Sequence, residues 1–401
     1  MKPVNKKRCL VVSPKVPYPP NDGGKIRIFN FIKQFSDFYD IDLVSFYIDE
    51  CKEEHVRYLK RYCRDVHLVK YDDSLFSNLR HMIWGVFLRR PLMYSRYFRN
   101  DMATLLKRLI RVKDYDLVVF HHLHMGQYYR LFPNSKNVID THNNDMVIMH
   151  RWSNRQKNPL KNILGRWQVR CIGRYMKNLF NHFDAIIAVS QKEINQFQRI
   201  VPSANFIVAN NGVDTEYYKP GADEPESDTL IYTGDMSWWP NTDAALFFLD
   251  ETFPEIKKKT PGARVIFAGR RPPKELVSKS SKNVEVTGFV EDMRPYFNKA
   301  KVFIVPLRIG GGTRLKILEA FAMKIPVVST SVGCEGLTVE DGTHILIRDK
   351  PEKFAEAVLK LLSDDDFCKR LKENAYKLVA EKYDWKFIMG DMVKEISFKI
   401  K

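Results

Sequence analysis

The chain has 401 residues, of which 44% are apolar and 28% charged, as in a water-soluble globular protein with room for two or three domains. No apolar run approaches the about 18 residues that cross a bilayer, and the basic N-terminus lacks the apolar region of a signal peptide, so membrane-spanning and exported classes are excluded. The net charge of +17 predicts attraction to polyanions such as nucleic acid, acidic lipid or phosphorylated substrates.

Buried strands alternate with helical segments along the whole chain, which predicts doubly wound parallel sheets of the α/β class. The predicted strands of the first half are 8–13, 41–47, 66–71, 117–121, 138–141, 185–190 and 206–209. Those of the second half are 230–233, 264–268, 284–287, 302–305, 327–329 and 345–347, and helices are predicted at 351–362, 367–382 and 385–401.

The loop after the first strand ends in Gly23 and Gly24 and leads into a helix over 25–35. A strand, a glycine loop and a helix in this order open many nucleotide-binding sheets. The loop does not read G-x-G-x-x-G, which disfavours a dinucleotide site. The alternative is a close strand-to-helix turn without a ligand.

Two segments interrupt the alternation. Residues 81–100 mix aromatic side chains with arginines, which suits either a membrane interface or an ordinary helix with packed aromatics and solvated arginines. No acid stands between Asp145 and Asp184, and helical spacing places four cations there in one stripe, either for an anionic partner or as a solvated face. These cations are Arg166, Arg170, Arg174 and Lys177.

The six cysteines are scattered and include no C-x-x-C pair. This spacing predicts reduced thiols and a cytoplasmic location, and it argues against a disulfide framework or a zinc site.

A glycine-rich loop lies between the predicted strand 302–305 and a helix for which Thr313 is the expected N-cap. Bare amides and the helix dipole hold phosphate at such a position. Arg314 and Lys316 oppose the dipole by about 0.3–1 kcal/mol each, a local conflict that often marks a functional site. The alternative is a tight turn with solvated basic residues.

This stretch resembles the donor site of family-4 glycosyltransferases, which are retaining nucleotide-sugar enzymes of the GT-B fold. Residues 306–328 match P-L-x-x-G-G-G-x-R-x-K-x-L-E-A-x-A-x-x-x-P-V-V. The resemblance extends over nearly the whole chain and is strongest to the branch that builds bacterial surface polysaccharides. Its other matching segments are 19–24, 140–143, 211–214, 232–236 and 240–244.

The resemblance implies two Rossmann-like domains that face each other across a cleft. The expected acceptor domain is 1–205, the expected donor domain is 206–384, and the helix 385–401 is expected to return to the N-terminal domain.

The resemblance also implies roles for individual residues. Glu319 would bind the ribose hydroxyls, and His142 would lie against the donor sugar. No protein nucleophile or base is implied, because the departing phosphate oxygen takes the acceptor proton. The remaining donor-binding residues would be Gly23, Gly24, Gly234, Gly310, Gly311, Gly312, Thr313 and Leu315. The alternatives are a Lys316–Glu319 pair on a solvated helix and a structural histidine.

The sequence departs from the family in two places. The family has a second glutamate eight positions before Glu319, where this chain has Gly311. The family also has cations shortly after the glycine that corresponds to Gly234, and this chain has none there. We therefore expect Arg314 and Lys316, with amides of 310–313, to form the diphosphate clamp and to be catalytic without a metal.

The expected function is transfer of a hexose-type sugar from a UDP- or GDP-sugar to a glycan or lipid-linked hydroxyl in surface polysaccharide synthesis. The expected location is the cytoplasm, with peripheral contact at the inner face of the cell membrane. A non-catalytic sugar-nucleotide-binding or scaffold protein is the alternative. A nucleic-acid partner is not expected, because no RNP, zinc-finger or helix-turn-helix pattern is present and the basic stripe is confined.

Overall fold

The computed structural model describes residues 6–48, 52–156, 158–221, 225–310 and 314–400. They form two compact units, the first comprising Met1–Asn210 with Met389–Lys401 and the second Asn211–Ile388. Every strand pair within the described residues is parallel, and the predicted α/β class with two Rossmann-like sheets is confirmed.

The sheet of the first unit has seven strands in the order β3-β2-β1-β4-β5-β6-β7. Its strands are β1 (Lys7–Ser13), β2 (Tyr39–Tyr47), β3 (Asp65–Lys70), β4 (Leu117–His121), β5 (Lys136–Asp140), β6 (Ala185–Ala188) and β7 (Phe206–Val208). Its α-helices are α1 (Gly23–Phe35), α2 (Glu53–Leu59), α3 (Leu75–Phe87), α4 (Leu92–Ser95), α5 (Asn100–Val112), α6 (Asp145–Asn154), α7 (Pro159–Phe180) and α8 (Gln191–Gln198), and Gly126–Leu131 is a 3₁₀ helix.

The sheet of the second unit has six strands in the order β10-β9-β8-β11-β12-β13. Its strands are β8 (Thr229–Thr233), β9 (Arg264–Ala268), β10 (Val284–Gly288), β11 (Val302–Val305), β12 (Val327–Ser329) and β13 (Leu346–Ile347). Its α-helices are α9 (Trp239–Phe247), α10 (Phe253–Lys259), α11 (Lys274–Val277), α12 (Arg294–Lys299), α13 (Leu315–Ala322), α14 (Pro351–Ser363) and α15 (Asp365–Lys382), and a π-helical turn at Phe248–Thr252 joins α9 to α10.

Each sheet reverses its strand order beside its first strand, between β1 and β4 in the first unit and between β8 and β11 in the second. Loops leave the carboxyl ends of two neighbouring strands in opposite directions at such a point, which opens a crevice for ligands. The central strands are apolar on both faces because helices cover both sides of a parallel sheet. The fold therefore designates one crevice in each unit.

The first unit extends further than the predicted boundary at residue 205. Strand β7 pairs with β6, so residues 206–210 complete the first sheet rather than open the second. The last helix, α16 (Trp385–Lys399), groups with the first unit from Met389 onward. The Lys399 ammonium there donates to the Phe206 carbonyl at 2.6 Å.

Candidate active site

The glycine pair of the first unit lies against the end of β4. Asp22 caps α1 by accepting from the Lys25 amide at 3.0 Å, and it also accepts from the Lys15 ammonium at 2.6 Å. A Cβ atom on Gly24 would lie 3.3 Å from His122 Nε2 and 3.2 Å from Lys15 Cε. Gly24 therefore lets the first turn of α1 approach the residue that follows β4, at the point where the strand order reverses.

A buried carboxylate organises the same edge of the sheet. Asp140 ends β5 and is fully buried, and its Oδ2 accepts from Arg27 Nε at 2.7 Å. The same oxygen lies 3.3 Å from His121 Nδ1 and 3.6 Å from His142 Nε2. These two imidazole nitrogens lie 3.0 Å apart. Asp140 thus connects the ends of β4 and β5 with helix α1.

The backbone after these strands takes an unusual conformation. His122 has φ 69° and His142 has φ 61°, in the left-handed region that costs a non-glycine residue free energy. The two rings stack with centroids 3.9 Å apart, and His122 is also 5.2 Å from the ring of His124. Strain of this kind persists where surrounding contacts hold it, and here the ring of His142 stacks on His122, which lies close to Gly24.

Burial determines the charges in this cluster. It lowers the pKa of His142 and His122 well below the usual value, and it lowers the pKa of His124 to about 3. Burial alone would raise the pKa of Asp140, but Arg27 and the imidazoles outweigh it and lower that pKa. The cluster therefore holds neutral imidazoles around an ionised carboxylate.

His121, Asp140 and His142 have the ligand types of a metal site, and they form such a cluster among the described residues. The guanidinium of Arg27 already supplies the positive charge that the carboxylate needs. Asp140 Oδ1 and His121 Nε2 are buried and have no hydrogen-bond partner among the described residues, so the protein network leaves part of the cluster's hydrogen-bonding capacity unused.

The central feature of the second unit is the side chain of Lys316, in the first turn of α13. Its ammonium donates to the Thr233 carbonyl at the end of β8 and to Asn241 Oδ1 at 3.2 Å. It also lies 4.1 Å from the centre of the Tyr232 ring. These three groups are uncharged, and burial lowers the pKa of Lys316 to about 7. An anionic ligand would supply the missing counter-charge.

Gly234 follows β8 and forms the floor beneath this ammonium. Its φ of 155° is in the range that favours glycine, and a Cβ atom there would lie 2.9 Å from Lys316 Nζ. A side chain at this position would displace Lys316. Backbone and a cation therefore lie together at the point where β8 and β11 diverge, an arrangement that suits a phosphate group.

Gly310 and Arg314 form a second close contact. Gly310 has φ 148°, and a Cβ atom on it would lie 2.1 Å from Arg314 Nη2. Gly311, Gly312 and Thr313 lie outside the described residues. Helix α13 begins at Leu315, so its cap position falls on Arg314, whose side chain makes no capping hydrogen bond.

Further cations reach the end of β8 from the neighbouring strand. Arg270 Nε and Arg271 Nη2 donate to Asp235 Oδ2 at 3.0 and 2.8 Å. The sequence near Gly234 contains no cation, but the fold places Lys316, Arg270 and Arg271 beside Gly234 and Asp235. Cations from other segments of the chain thus stand where the linear motif has none.

Glu319 lies one turn after Lys316 on the same helix. The Tyr218 hydroxyl hydrogen-bonds to its carboxylate, and burial raises the pKa of Glu319 to about 7 against the effects of Tyr218 and Lys316. A half-buried carboxylate with one hydroxyl partner retains acceptor capacity for a ligand. Glu319 is therefore not a simple solvated partner of Lys316.

The fold gathers the predicted residues into two groups, one in each unit. Gly24 and His142 belong to the first group, which Gly23 joins as the first residue of α1. Gly234, Gly310, Arg314, Lys316 and Glu319 belong to the second, and Leu315 opens its helix. Sequence reasoning missed Arg27, Asn241 and Tyr218. Asn241 belongs to the matching segment 240–244, but no sequence pattern indicates its contact with Lys316, which is 75 positions away.

Two parallel α/β units with charged and glycine-lined switch points are typical of proteins that bind phosphorylated ligands. Comparison with known families narrows this class. Residues 227–364 match the family model described as Glycosyl transferases group 1, and residues 53–217 match the model described as Glycosyltransferase Family 4. The chain belongs to the glycosyltransferases of the GT-B fold.

Relatives and solved structures agree with this assignment. An uncharacterized 44.6 kDa protein of the cps region of Klebsiella pneumoniae is 24% identical over 97% of this chain and 99% of its own length. A GDP-mannose:cellobiosyl-diphosphopolyprenol alpha-mannosyltransferase of Xanthomonas oryzae is 26% identical over 52% of this chain and 57% of its own length. Anabaena HepE in complex with UDP and glucose superposes with a TM-score of 0.70 at 14% identity, over 98% of this chain and 100% of that one.

The buried Arg27–Asp140 pair should dominate the stability of the first unit. Asp140→Asn leaves the guanidinium buried without its counter-charge, so the unfolding free energy should fall by about 3–5 kcal/mol in urea denaturation. Asp391→Asn is the control, because its pair with Lys394 is exposed on both sides, and it should change stability by less than about 1 kcal/mol. Equal losses in the two variants would contradict this account.

The histidine cluster should make stability depend on pH. His124 stays neutral when folded but binds a proton below about pH 6.5 when unfolded, so the wild type loses stability as the pH falls. His124→Phe keeps the ring that stacks on Tyr97 at 4.0 Å and removes this titration. Between pH 7 and pH 5 the variant should gain about 2 kcal/mol relative to the wild type. Parallel stability curves for the two proteins would refute the assignment.

Proposed function

We propose that the protein is a retaining glycosyltransferase that moves a hexose-type sugar from a UDP- or GDP-sugar to a hydroxyl of a glycan or lipid-linked acceptor. The observation that carries the proposal is the Lys316 ammonium above Gly234, held by uncharged groups at the switch point. A diphosphate bound there supplies the negative counter-charge that the three uncharged contacts of this ammonium do not provide.

The leaving group in such a transfer is a nucleoside diphosphate, and its negative charge grows in the transition state. Lys316 and Arg314 neutralise that charge together with backbone amides of the glycine loop, and Glu319 accepts hydrogen bonds from the ribose hydroxyls. His142, with Gly23 and Gly24, acts on the donor sugar and its phosphates. No metal is required, because the clamp is made of side-chain cations and amides.

The proposed pathway is synthesis of a bacterial surface polysaccharide, in the cytoplasm and at the inner face of the cell membrane. A relative in a cps region supports the polysaccharide, and a relative named for a diphosphopolyprenol acceptor supports the lipid-linked acceptor. The complex of HepE with UDP and glucose supports a UDP-sugar donor, while the mannosyltransferase supports a GDP-sugar.

The alternative is a sugar-nucleotide-binding protein that does not catalyse transfer. Gly311 favours it, because the family has a glutamate at that position. A panel of radiolabelled UDP- and GDP-sugars, offered with lipid-diphosphate-linked acceptors, separates the two functions. Transfer with retained anomeric configuration supports the enzyme, whereas tight binding without transfer or hydrolysis supports the alternative.

Glu319→Ala should weaken binding of the free nucleoside diphosphate by about 1–3 kcal/mol, because charged hydrogen bonds to the ribose are lost. Titration calorimetry with UDP and with GDP measures the change. Glu352→Ala, an exposed glutamate on α14, is the control and should leave the affinity unchanged. If a folded Glu319→Ala protein binds the nucleoside diphosphate with unchanged affinity, Glu319 does not bind the ribose.

Arg314→Ala and Lys316→Ala should each lower kcat by about a hundredfold or more and weaken donor binding far less, because the leaving-group charge is greatest in the transition state. Steady-state kinetics and donor calorimetry on the same preparations give the two quantities. Lys274→Ala, an exposed cation on α11, is the matched control, and EDTA should leave wild-type turnover intact. Wild-type rates in both clamp variants would place the clamp elsewhere, with Arg270 and Arg271 next to be tested.

A further inference from the structure

Helix α3 of the first unit has its polar and apolar faces reversed with respect to the protein core. Its buried residues are Ser77, Asn78 and Gly85. Its large apolar side chains point outward, with Leu75, Phe76 and Phe87 exposed by 90%, 80% and 76%. Leu79, Ile83, Trp84 and Val86 are also about half exposed or more. A contiguous apolar surface of this kind marks an interaction site.

Specific polar contacts hold the helix in this orientation. Ser77 Oγ and Asn78 Oδ1 accept from the Arg99 guanidinium at 2.5 and 3.3 Å, and Asn78 Oδ1 accepts from Arg96 Nε at 3.1 Å. A Cβ atom on Gly85 would lie 2.6 Å from Ser95 Oγ, so only glycine lets the helix pack against α4. The inner face is therefore a hydrogen-bonded polar interface, and turning the helix would break these hydrogen bonds.

The outward side chains form one continuous face. At about 100° per residue, the positions of Leu75, Leu79, Ile83, Phe76 and Phe87 fall within an arc of about 120°. Arg80 and Trp84 lie at one border of that arc, between the apolar side chains and the buried face. An apolar face with a cation and a tryptophan at its edge is the pattern of a helix that lies in a membrane interface.

The charged side chains of the segment that carries this face have a single sign. Residues 74–100 contain no aspartate or glutamate, and Arg80, Arg89 and Arg90 are exposed. The nearest preceding acid, Asp73, is paired with Arg96 at 3.2 Å. Such a surface is complementary to anionic lipid head groups, which attract each nearby cation.

A second exposed apolar stretch lies on α7, which contacts α4. The Leu92 amide of α4 donates to Gln168 Oε1 of α7 at 2.9 Å, which connects the α3–α4 pair to α7. One to two turns before Gln168, the side chains of Leu160 and Ile163 are 74% and 64% exposed. The cations Arg166 and Arg170 of α7 are exposed too, and residues 146–183 contain no acid.

We propose that α3, together with the exposed N-terminal half of α7, docks the protein on an anionic phospholipid bilayer, the apolar arc entering the head-group region and the arginines binding lipid phosphates. The inference rests on the proposed function for its purpose, since a lipid-linked acceptor lies at such a surface. No helix among the described residues has the length and apolar content to span a bilayer, so the docking is interfacial.

The test measures co-sedimentation of the full chain with vesicles of equimolar phosphatidylcholine and phosphatidylglycerol, without any sugar donor. The wild type should bind these vesicles, bind pure phosphatidylcholine at least about tenfold more weakly, and lose binding as salt is raised. Phe76→Ser/Phe87→Ser should lower the partition coefficient by more than about tenfold, and Arg80→Glu/Arg90→Glu should do so at low salt.

The matched control is Phe387→Ser/Phe398→Ser, which removes two aromatic side chains that are 60% and 72% exposed on α16. It should bind vesicles within about twofold of the wild type. All variants should retain the far-ultraviolet circular dichroism spectrum and the cooperative urea unfolding of the wild type, which shows that they are folded. Vesicle binding that survives the α3 variants, or no binding by the wild type, overturns the proposal.

Trp84 provides an independent readout of insertion. Vesicles with brominated acyl chains should quench the tryptophan fluorescence of the wild type, and Trp84→Phe should abolish most of that quenching. Self-association that requires Phe76 and Phe87, without quenching by lipid, would assign the face to a second copy of the chain and reject the membrane. Vesicle binding with no sugar transfer would leave this inference standing while the proposed enzymatic function fails.

Discussion

The second unit depends on one unfavourable placement, a lysine ammonium partly buried in the first turn of a helix. Its position opposes the helix dipole, and its contacts are a carbonyl, an amide oxygen and an aromatic face. Gly234 is needed because any side chain there would occupy the ammonium's space. An anion bound beside the ammonium would offset its unfavourable interaction with the helix dipole. The same contact would then contribute both to the stability of the second unit and to its affinity for the ligand.

In the first unit the central buried ion is negative, because it is the carboxylate of Asp140. Arg27 comes from the helix after β1, while Asp140 ends β5, so the pair spans the switch point of the sheet. Burial keeps the surrounding imidazoles neutral, and neutral imidazoles can orient one another through hydrogen bonds and stacking without adding repulsion. His142 is positioned by this arrangement rather than by its own strand.

Helix α3 shows how polar contacts can decide which side of a helix faces solvent. An amphipathic helix ordinarily buries its apolar stripe because that burial contributes most of its stability. Here Arg99, Asn78 and the close contact at Gly85 hold the other side inward. The apolar stripe is thereby left for a surface outside the chain, and the absence of acids along the segment sets the sign of that surface.

The sequence by itself determined the fold class and the strands, because buried parallel strands leave a local pattern in apolar spacing. It also singled out Lys316 and Glu319 as candidate site residues, since both belong to one short motif. It misplaced the first domain boundary, because only pairing with β6 shows that β7 belongs to the first sheet. Several side-chain hydrogen bonds of the two sites connect residues that are 35 to 113 positions apart in the sequence. They are those of Asp235 with Arg270 and Arg271, of Lys316 with Asn241, and of Asp140 with Arg27. Contacts over such separations are set by strand order, which brings distant loops to one sheet edge, and only the tertiary structure decides them.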